Sequence, residues 1–387
     1  MNEFRKIGTF AKSVSRKNLD LVSSADVYSV TKYDGFIRSL SYFKKQVFSR
    51  DLSTYKIVRK GEFAYSTIHL DEGAIGLFQD NEALISPMYT VFEVDESIDI
   101  FYLNYLLSSD LLLNKYGLTG QGSVNRRKSI PFSAFAELEV RVPPLDEQKK
   151  IAEVISRIEN LISSLKVKIR KHEIINIACG KDLIRHKSKD QIFKISDLYE
   201  VKSGSTPTRS RPEFFCKEGG VPWLKTMDLT NDYVYKTDEE LKEFTFNKTN
   251  LKIFPKGSVL IAMYGGWNQI GRTGILTRES SCNQAMSVLI PHESVLPEFI
   301  NMQLVLNVSY WKKIAASSRK DPNITKSDVN GMKIYIPSLI EQERISKIYC
   351  SQLDFINKLK DKLQNLIHLK SAISYELLSG RKRVKIL

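Results

Sequence analysis

The sequence predicts an α+β chain in which two repeat-related globular domains are separated by two long helices that form an antiparallel coiled coil. Three observations carry this. Residues 142–151 read "VPPLDEQKKI" and residues 336–345 read "IPSLIEQERI", 194 positions apart. The likeness continues on both sides of this echo. Each echo also opens a proline-free segment whose apolar residues recur at helical spacing.

The repeat comes first, because a missed duplication misassigns the whole fold. At an offset of 194, Ile151 matches Ile345, Ile162 matches Ile356, Leu165 matches Leu359 and Leu183 matches Leu377. Upstream, Ile130 matches Ile324 and Val142 matches Ile336. Earlier still the offset is 198, as altered loop length produces, and Gly73, Gly76 and Met88 meet Gly271, Gly274 and Met286. The chain therefore divides into a first domain over 1–142, a first spacer helix with linker over 143–190, a second domain over 191–336, and a second spacer helix with a basic tail over 337–387.

The first helix presents Ile151, Ile155, Ile158, Ile162, Leu165 and Ile169, spaced 4, 3, 4, 3, 4. The second presents Ile345, Tyr349, Ile356, Leu359, Leu363, Leu366, Ile373 and Leu377, with Gln352 and Lys370 as polar interruptions. Alternation of threes and fours marks a coiled-coil seam. Pro143, Pro144 and Pro337 block helical extension backwards, and Glu147 and Glu341 suit the positive end of the helix dipole. Each helix could pack on its own domain. Two repeat-related seams of matching length cover one another more economically. In an antiparallel pair the domains would stand at opposite ends of a rod of roughly 50 Å, at ~1.5 Å per residue.

Each globular domain reads as a compact α+β unit with a mostly antiparallel sheet. Short apolar runs such as "SVLIAMYGG" and "AMSVLIP" predict strands, and "DIFYLNYLLSSDLLLNKYG" and "PEFINMQLVLNVSYWKKIAAS" predict helices. The strand order is not readable.

A net charge of +14 points toward a polyanionic partner. The charge is uneven. Residues 1–60 hold 13 Lys and Arg against 5 acids, whereas residues 61–110 hold none against 10, so the basic surface of the first domain lies early. There Arg38, Lys44, Lys45 and Arg50 interleave with aromatics, which suits phosphate contact. Three kinds of loop add base-reading chemistry. "GQGSVNRRKSI" carries Gln121, Asn125, Arg126, Arg127 and Lys128, and "SSRKDPNI", at the corresponding place in the second half, carries Arg319 and Lys320. "SGSTPTRSRPEF" carries Thr206, Thr208, Arg209 and Arg211. "YGGWNQIGRTG" carries Trp267, Asn268, Gln269 and Arg272. Arginine suits guanine and Asn or Gln suits adenine in the major groove.

Catalytic signals are missing from the sequence. It has no GxxxxGK[ST] or GxGxxG phosphate loop. "VPPL" lacks the polar and aromatic ends of an amino-methyltransferase tetrapeptide. "DEQK" at 146–149 becomes "IEQE" in the second copy and loses its lysine, so a nuclease site is not supported. The four cysteines form no CxxC pair, and His172 and Cys179 have no further ligand nearby, so no metal site is expected. His172 falls on the seam and is expected to pack there. The start "MNEFRKIGTF" has no signal-peptide apolar run and no segment approaches a membrane span, so a cytoplasmic location is expected.

The paired "PPLDEQKKIAEVI" and "IPSLIEQERISKI", together with "GSTPTRS", "VPWLK", "KGSVLIA", "IGRTGIL", "CNQAMSVL" and "ELLSGR", resemble the DNA-specificity subunit of type I restriction-modification systems over essentially the whole chain. The first domain departs from that pattern, having no "GSTP"-like segment. The resemblance implies two target-recognition domains, each reading one half of a bipartite double-stranded DNA site. "VPWLK" adds Lys225 to the candidate contacts. The resemblance also implies helices that set the spacing and dock two modification (methyltransferase) subunits. Restriction subunits with translocase and nuclease activity would join them. The chain itself would be non-catalytic, with S-adenosylmethionine, ATP and Mg in those partners. The competing expectation is a two-headed nucleic-acid or protein adaptor with no methyltransferase partner.

Overall fold

The computed structural model describes residues 3–19, 25–32, 34–43, 46, 48–119, 129–185, 191–317 and 323–384. Its contacts define two compact units, one of residues 1–166 with 361–387 and one of residues 167–360. Each long helix thus contributes to both units.

In the first unit β1 (Phe4–Lys6) and β2 (Ala11–Val14) precede a hairpin of β3 (Val27–Thr31) and β4 (Gly35–Arg38). A single turn, α1 (Ser39–Tyr42), leads toward β5 (Lys56–Arg59), β6 (Phe63–Ser66), β7 (Ile75–Leu77), β8 (Glu82–Ile85) and β9 (Tyr89–Val94). Helices α2 (Ile100–Leu107), α3 (Asp110–Thr119) and α4 (Phe132–Ala136), then β10 (Glu139–Arg141), complete the domain before α5 (Leu145–Leu183). The strands form an antiparallel sheet β2-β9-β6-β7, a second sheet β4-β3-β8-β5 and the ribbon β1-β10.

The alternation of side chains along a strand explains the layering. Phe63, Tyr65 and Phe92 project from β6 and β9 into a core shared with α2, α3 and α4. Ala64 and Val91, on the opposite face, pack with Tyr28, Val58 and Ile85 of the second sheet. All four residues of β6 are buried for this reason. The sheets meet closely where Gly76 faces Gly35, and a Cβ at Gly76 would lie 3.2 Å from the Gly35 Cα. Beside the expected antiparallel pairs stands one parallel pair, β3 with β8.

The second unit repeats the plan. It contains β11 (Ile192–Lys194), α6 (Ile195–Leu198), β12 (Val201–Ser203), β13 (Phe215–Cys216), β14 (Val221–Leu224), β15 (Tyr233–Val234) and β16 (Glu240–Leu241). There follow α7 (Phe244–Lys248), β17 (Val259–Ala262), β18 (Thr273–Leu276), β19 (Ser281–Cys282) and β20 (Met286–Leu289). Helices α8 (Pro297–Leu306), α9 (Val308–Ser317) and α10 (Lys326–Gly331), then β21 (Lys333–Tyr335), precede α11 (Leu339–Leu378). The order β12-β20-β17-β18 reproduces β2-β9-β6-β7, with β15 added at the edge. The parallel pair recurs as β14 with β19. Even a single anchor is duplicated: the Ile130 amide donates to the Thr67 carbonyl and the Ile324 amide to that of Met263, both at 2.8 Å.

Within each unit α5 and α11 run antiparallel. In the first, Glu159 of α5 accepts from Lys370 of α11 at 2.6 Å, and Ile151, Ile155, Leu377 and Leu378 share one core. In the second, Glu173 pairs with Lys360 at 2.7 Å and Phe355 meets the edge of His172 at a centroid distance of 4.9 Å. A Cβ at Gly180 would come within 3.2 Å of the Tyr349 ring, so a side chain there would part the helices. Along the seam Ile151, Ile155, Ile162, Ile169, Ile345, Tyr349, Ile356 and Leu359 are buried. Ile158, Leu165, Leu363 and Leu366 are half-buried.

The echoed glutamines give the repeated decapeptide a physical reason. Gln148 Nε2 donates to the carbonyls of Pro143 (2.8 Å) and Ser97 (3.0 Å), and its Oε1 accepts from the Asp99 amide (2.8 Å). Gln342 does the same with Pro337 (2.9 Å), Ser294 (2.8 Å) and the Leu296 amide (2.9 Å). Each buried amide pins the start of a long helix to the loop that opens α2 or α8. Gln148→Ala or Gln342→Ala strands three backbone groups and should cost about 1–3 kcal/mol, lowering Tm by roughly 3–10 °C in thermal unfolding. A Tm unchanged in both variants would contradict the pinning role.

Candidate nucleic-acid interface

In the second unit four strand ends deliver their loops to one place. The Ser205 amide donates to the Cys282 carbonyl (2.9 Å), the Asn283 amide to that of Leu224 (3.0 Å) and the Met263 amide to that of Ala285 (2.8 Å). The Trp223 indole N–H donates to the Ser205 carbonyl at 3.2 Å. Gly204 is required at this crossing, since a Cβ would lie 2.3 Å from the Cys282 and Asn283 carbonyl oxygens. The segments "GSTP", "VPWLK", "YGGWNQIGR" and "CNQA" therefore meet.

This arrangement brings Thr206, Lys225, Trp267, Asn268, Gln269 and Arg272 onto neighbouring loops. Trp267 is 48% exposed and Asn268 is exposed, on a turn opened by Gly265 (φ 118°) and Gly266 (φ 94°). Gln269 is buried beneath Gly265, and its Oε1 has no hydrogen-bond partner among the described residues. Arg272 is half-buried. Thr208 bonds the Ser210 hydroxyl at 2.8 Å, and Arg211 lies over the Phe214 ring at 5.5 Å.

Two of the cations are already balanced inside the unit. Arg209 donates through both terminal nitrogens to Glu239, each at 2.8 Å, and stacks over Phe215 at 4.4 Å and Trp223 at 5.1 Å. Lys225 stands 3.4 Å from both Asp238 and Glu239. The Arg209 hydrogen bonds, helped by Lys225, hold the Glu239 carboxyl down at about 2. Such a fork fixes the strand ends rather than offering free charge.

In the first unit Arg38 donates to the Tyr28 hydroxyl at 2.8 Å and approaches Asp26 at 3.3 Å, while Tyr28 donates to Asp80 at 2.6 Å. Arg50 is exposed. Lys44, Lys45, Gln121, Asn125, Arg126, Arg127, Lys128, Arg319 and Lys320 lie outside the described residues. Sequence reading passed over Asn283 and Gln284, whose only signal was the polar pair inside "CNQAMSVL". Among the described residues no group of three or more His, Cys, Asp or Glu could hold a metal, and no helix is long and apolar enough to cross a membrane.

Two copies of one scaffold, with divergent loops at their strand ends, define a chain with two recognition domains. Residues 3–172 and 187–369 match the type I restriction modification DNA specificity domain. The chain is 24% identical over 328 residues to the MjaVIII specificity subunit of a type I restriction enzyme from Methanocaldococcus jannaschii, covering 78% of this chain and 75% of that one. Its fold is similar to that of a chain solved in work on assembly and conformational transition of a type I R-M system, with a TM-score of 0.65, 15% identity and 98% of each chain covered. It is also similar to the type I S subunit of M. genitalium, with a TM-score of 0.56, 14% identity, and 97% and 95% covered. The chain belongs to the type I restriction-modification DNA specificity family and is a specificity subunit of that kind.

Proposed function

We propose that each domain reads one half of a split, asymmetric site in double-stranded DNA and that the helix pair fixes the number of unread base pairs between the halves. The same helices dock two modification subunits, and restriction subunits join them to translocate and cleave DNA. S-adenosylmethionine, ATP and Mg act in those partners, and the assembly works in the cytoplasm. The observation that carries this reading is a common strand order beneath unlike loops. β12-β20-β17-β18 repeats β2-β9-β6-β7, whereas "GSTPTRS" and "GGWNQ" have no counterpart in the first domain. One scaffold with two different tips can present two different sets of base-edge partners.

Expression of the chain with its methyltransferase partner, followed by genome-wide mapping of methylated bases, tests this. The expected motif has two unlike halves separated by a fixed unread gap. A contiguous motif, or one with identical halves, would contradict it.

A further inference from the structure

One exposed side-chain amide of the second unit is held by a neighbouring loop. Gln284 lies in the turn between β19 and β20 and is exposed. Its Oε1 accepts the Thr206 hydroxyl. That support is itself fixed. Thr206 follows Ser205, which is bonded to Cys282 and to the Trp223 indole.

A glutamine amide offers two acceptor lone pairs and two N–H donors. Thr206 occupies one acceptor, which leaves one acceptor and both donors. That remainder contains the complement of the adenine N6 amino group and N7 in the major groove. Holding the side chain in place beforehand also removes part of the entropy cost of ordering it on binding. The neighbouring groups are less suited. The Asn283 Oδ1 accepts from the Ala285 amide at 3.1 Å, Gln269 is buried, and Arg209 and Lys225 are balanced by Glu239 and Asp238.

We propose that Gln284, supported by Thr206, is the side chain with which the second domain reads an adenine of its half-site. This rests on the DNA-reading function given above.

The test uses the full chain assembled with its methyltransferase subunits and maps the methylated motif. Gln284→Ala should relax the requirement for a single A·T pair, in one half-site only, by about 5- to 150-fold. Thr206→Val keeps the amide but removes a support, and should relax the same pair to a smaller degree. It carries the test if Gln284→Ala does not assemble. A two-part motif left unchanged by the deciding variant, or relaxed at a G·C pair or in both halves, overturns the assignment of Gln284 alone. A wild-type complex with no two-part motif overturns the recognition reading and this assignment with it.

Discussion

Ile162→Asp should destabilise the first unit by several kcal/mol and abolish assembly or solubility. The side chain is 8% exposed and lies in the middle of the α5 seam. Losing its burial costs about 1.5–3 kcal/mol, and an unpaired carboxylate in the same place adds a desolvation penalty of several more. The penalty falls on the charged form, so burial raises the pKa of the new aspartate. The loss is then full above the raised value and shrinks as pH falls from there toward the ordinary aspartate range. The adjacent Leu161 is 58% exposed. In the isolated chain Leu161→Asp should change stability by no more than about 0.5 kcal/mol. Urea unfolding of both variants checks the contrast, and equal effects would refute the seam.

Arg141→Ala should cost about 3–5 kcal/mol, because it leaves a buried charge without its main partner. The Arg141 side chain is 3% exposed. It donates to Glu147 at 2.6 Å, to Glu3 at 3.0 Å and to the Leu377 carbonyl at 2.9 Å. Arg383 closes the network on Glu147 at 2.8 Å and on Glu3. Burial raises the pKa of Glu3, but the hydrogen bonds from Arg141 and Arg383 outweigh it and hold the group below its usual range. The Glu147 side chain is 5% exposed, so water cannot replace the guanidinium. Replacing both charges with apolar residues, Arg141→Met with Glu147→Leu, should recover much of the loss. A denaturation midpoint unmoved in Arg141→Ala would show that the network carries no stability.

The helices were legible because their information is local. A seam at spacings of three and four survives in the letters, and the residues it picks out, from Ile151 to Ile169 and from Ile345 to Leu366, are buried or half-buried. The echo was legible as a helix start, but its reason was not. Gln148 acts on Ser97 and Asp99 about fifty residues upstream, and no local pattern encodes that pairing. The parallel pairs β3 with β8 and β14 with β19 are hidden for the same cause. Arg141 reads as a surface charge because a sequence shows a cation but not the two carboxylates that enclose it. In the loops, residue types could be selected but their engagement could not. Arg209 and Asn268 look alike as candidates, yet Glu239 holds the first while the second is exposed. Gln284 was masked by its setting between Cys282 and Met286, where the run reads as the end of one strand and the start of another.

Helix length is where the proposed division of labour can be measured. Removing Ser163–Ile169 together with Lys362–His368 takes seven residues and two seam positions from each helix, so the apolar phase is kept. Each helix shortens by roughly 10 Å at ~1.5 Å per residue, close to three base pairs at ~3.4 Å each. Methylation mapping of this variant with its partners should return both half-sites unchanged and a gap shorter by about three base pairs. An unchanged gap would mean that the helices do not set the distance between the two reading domains.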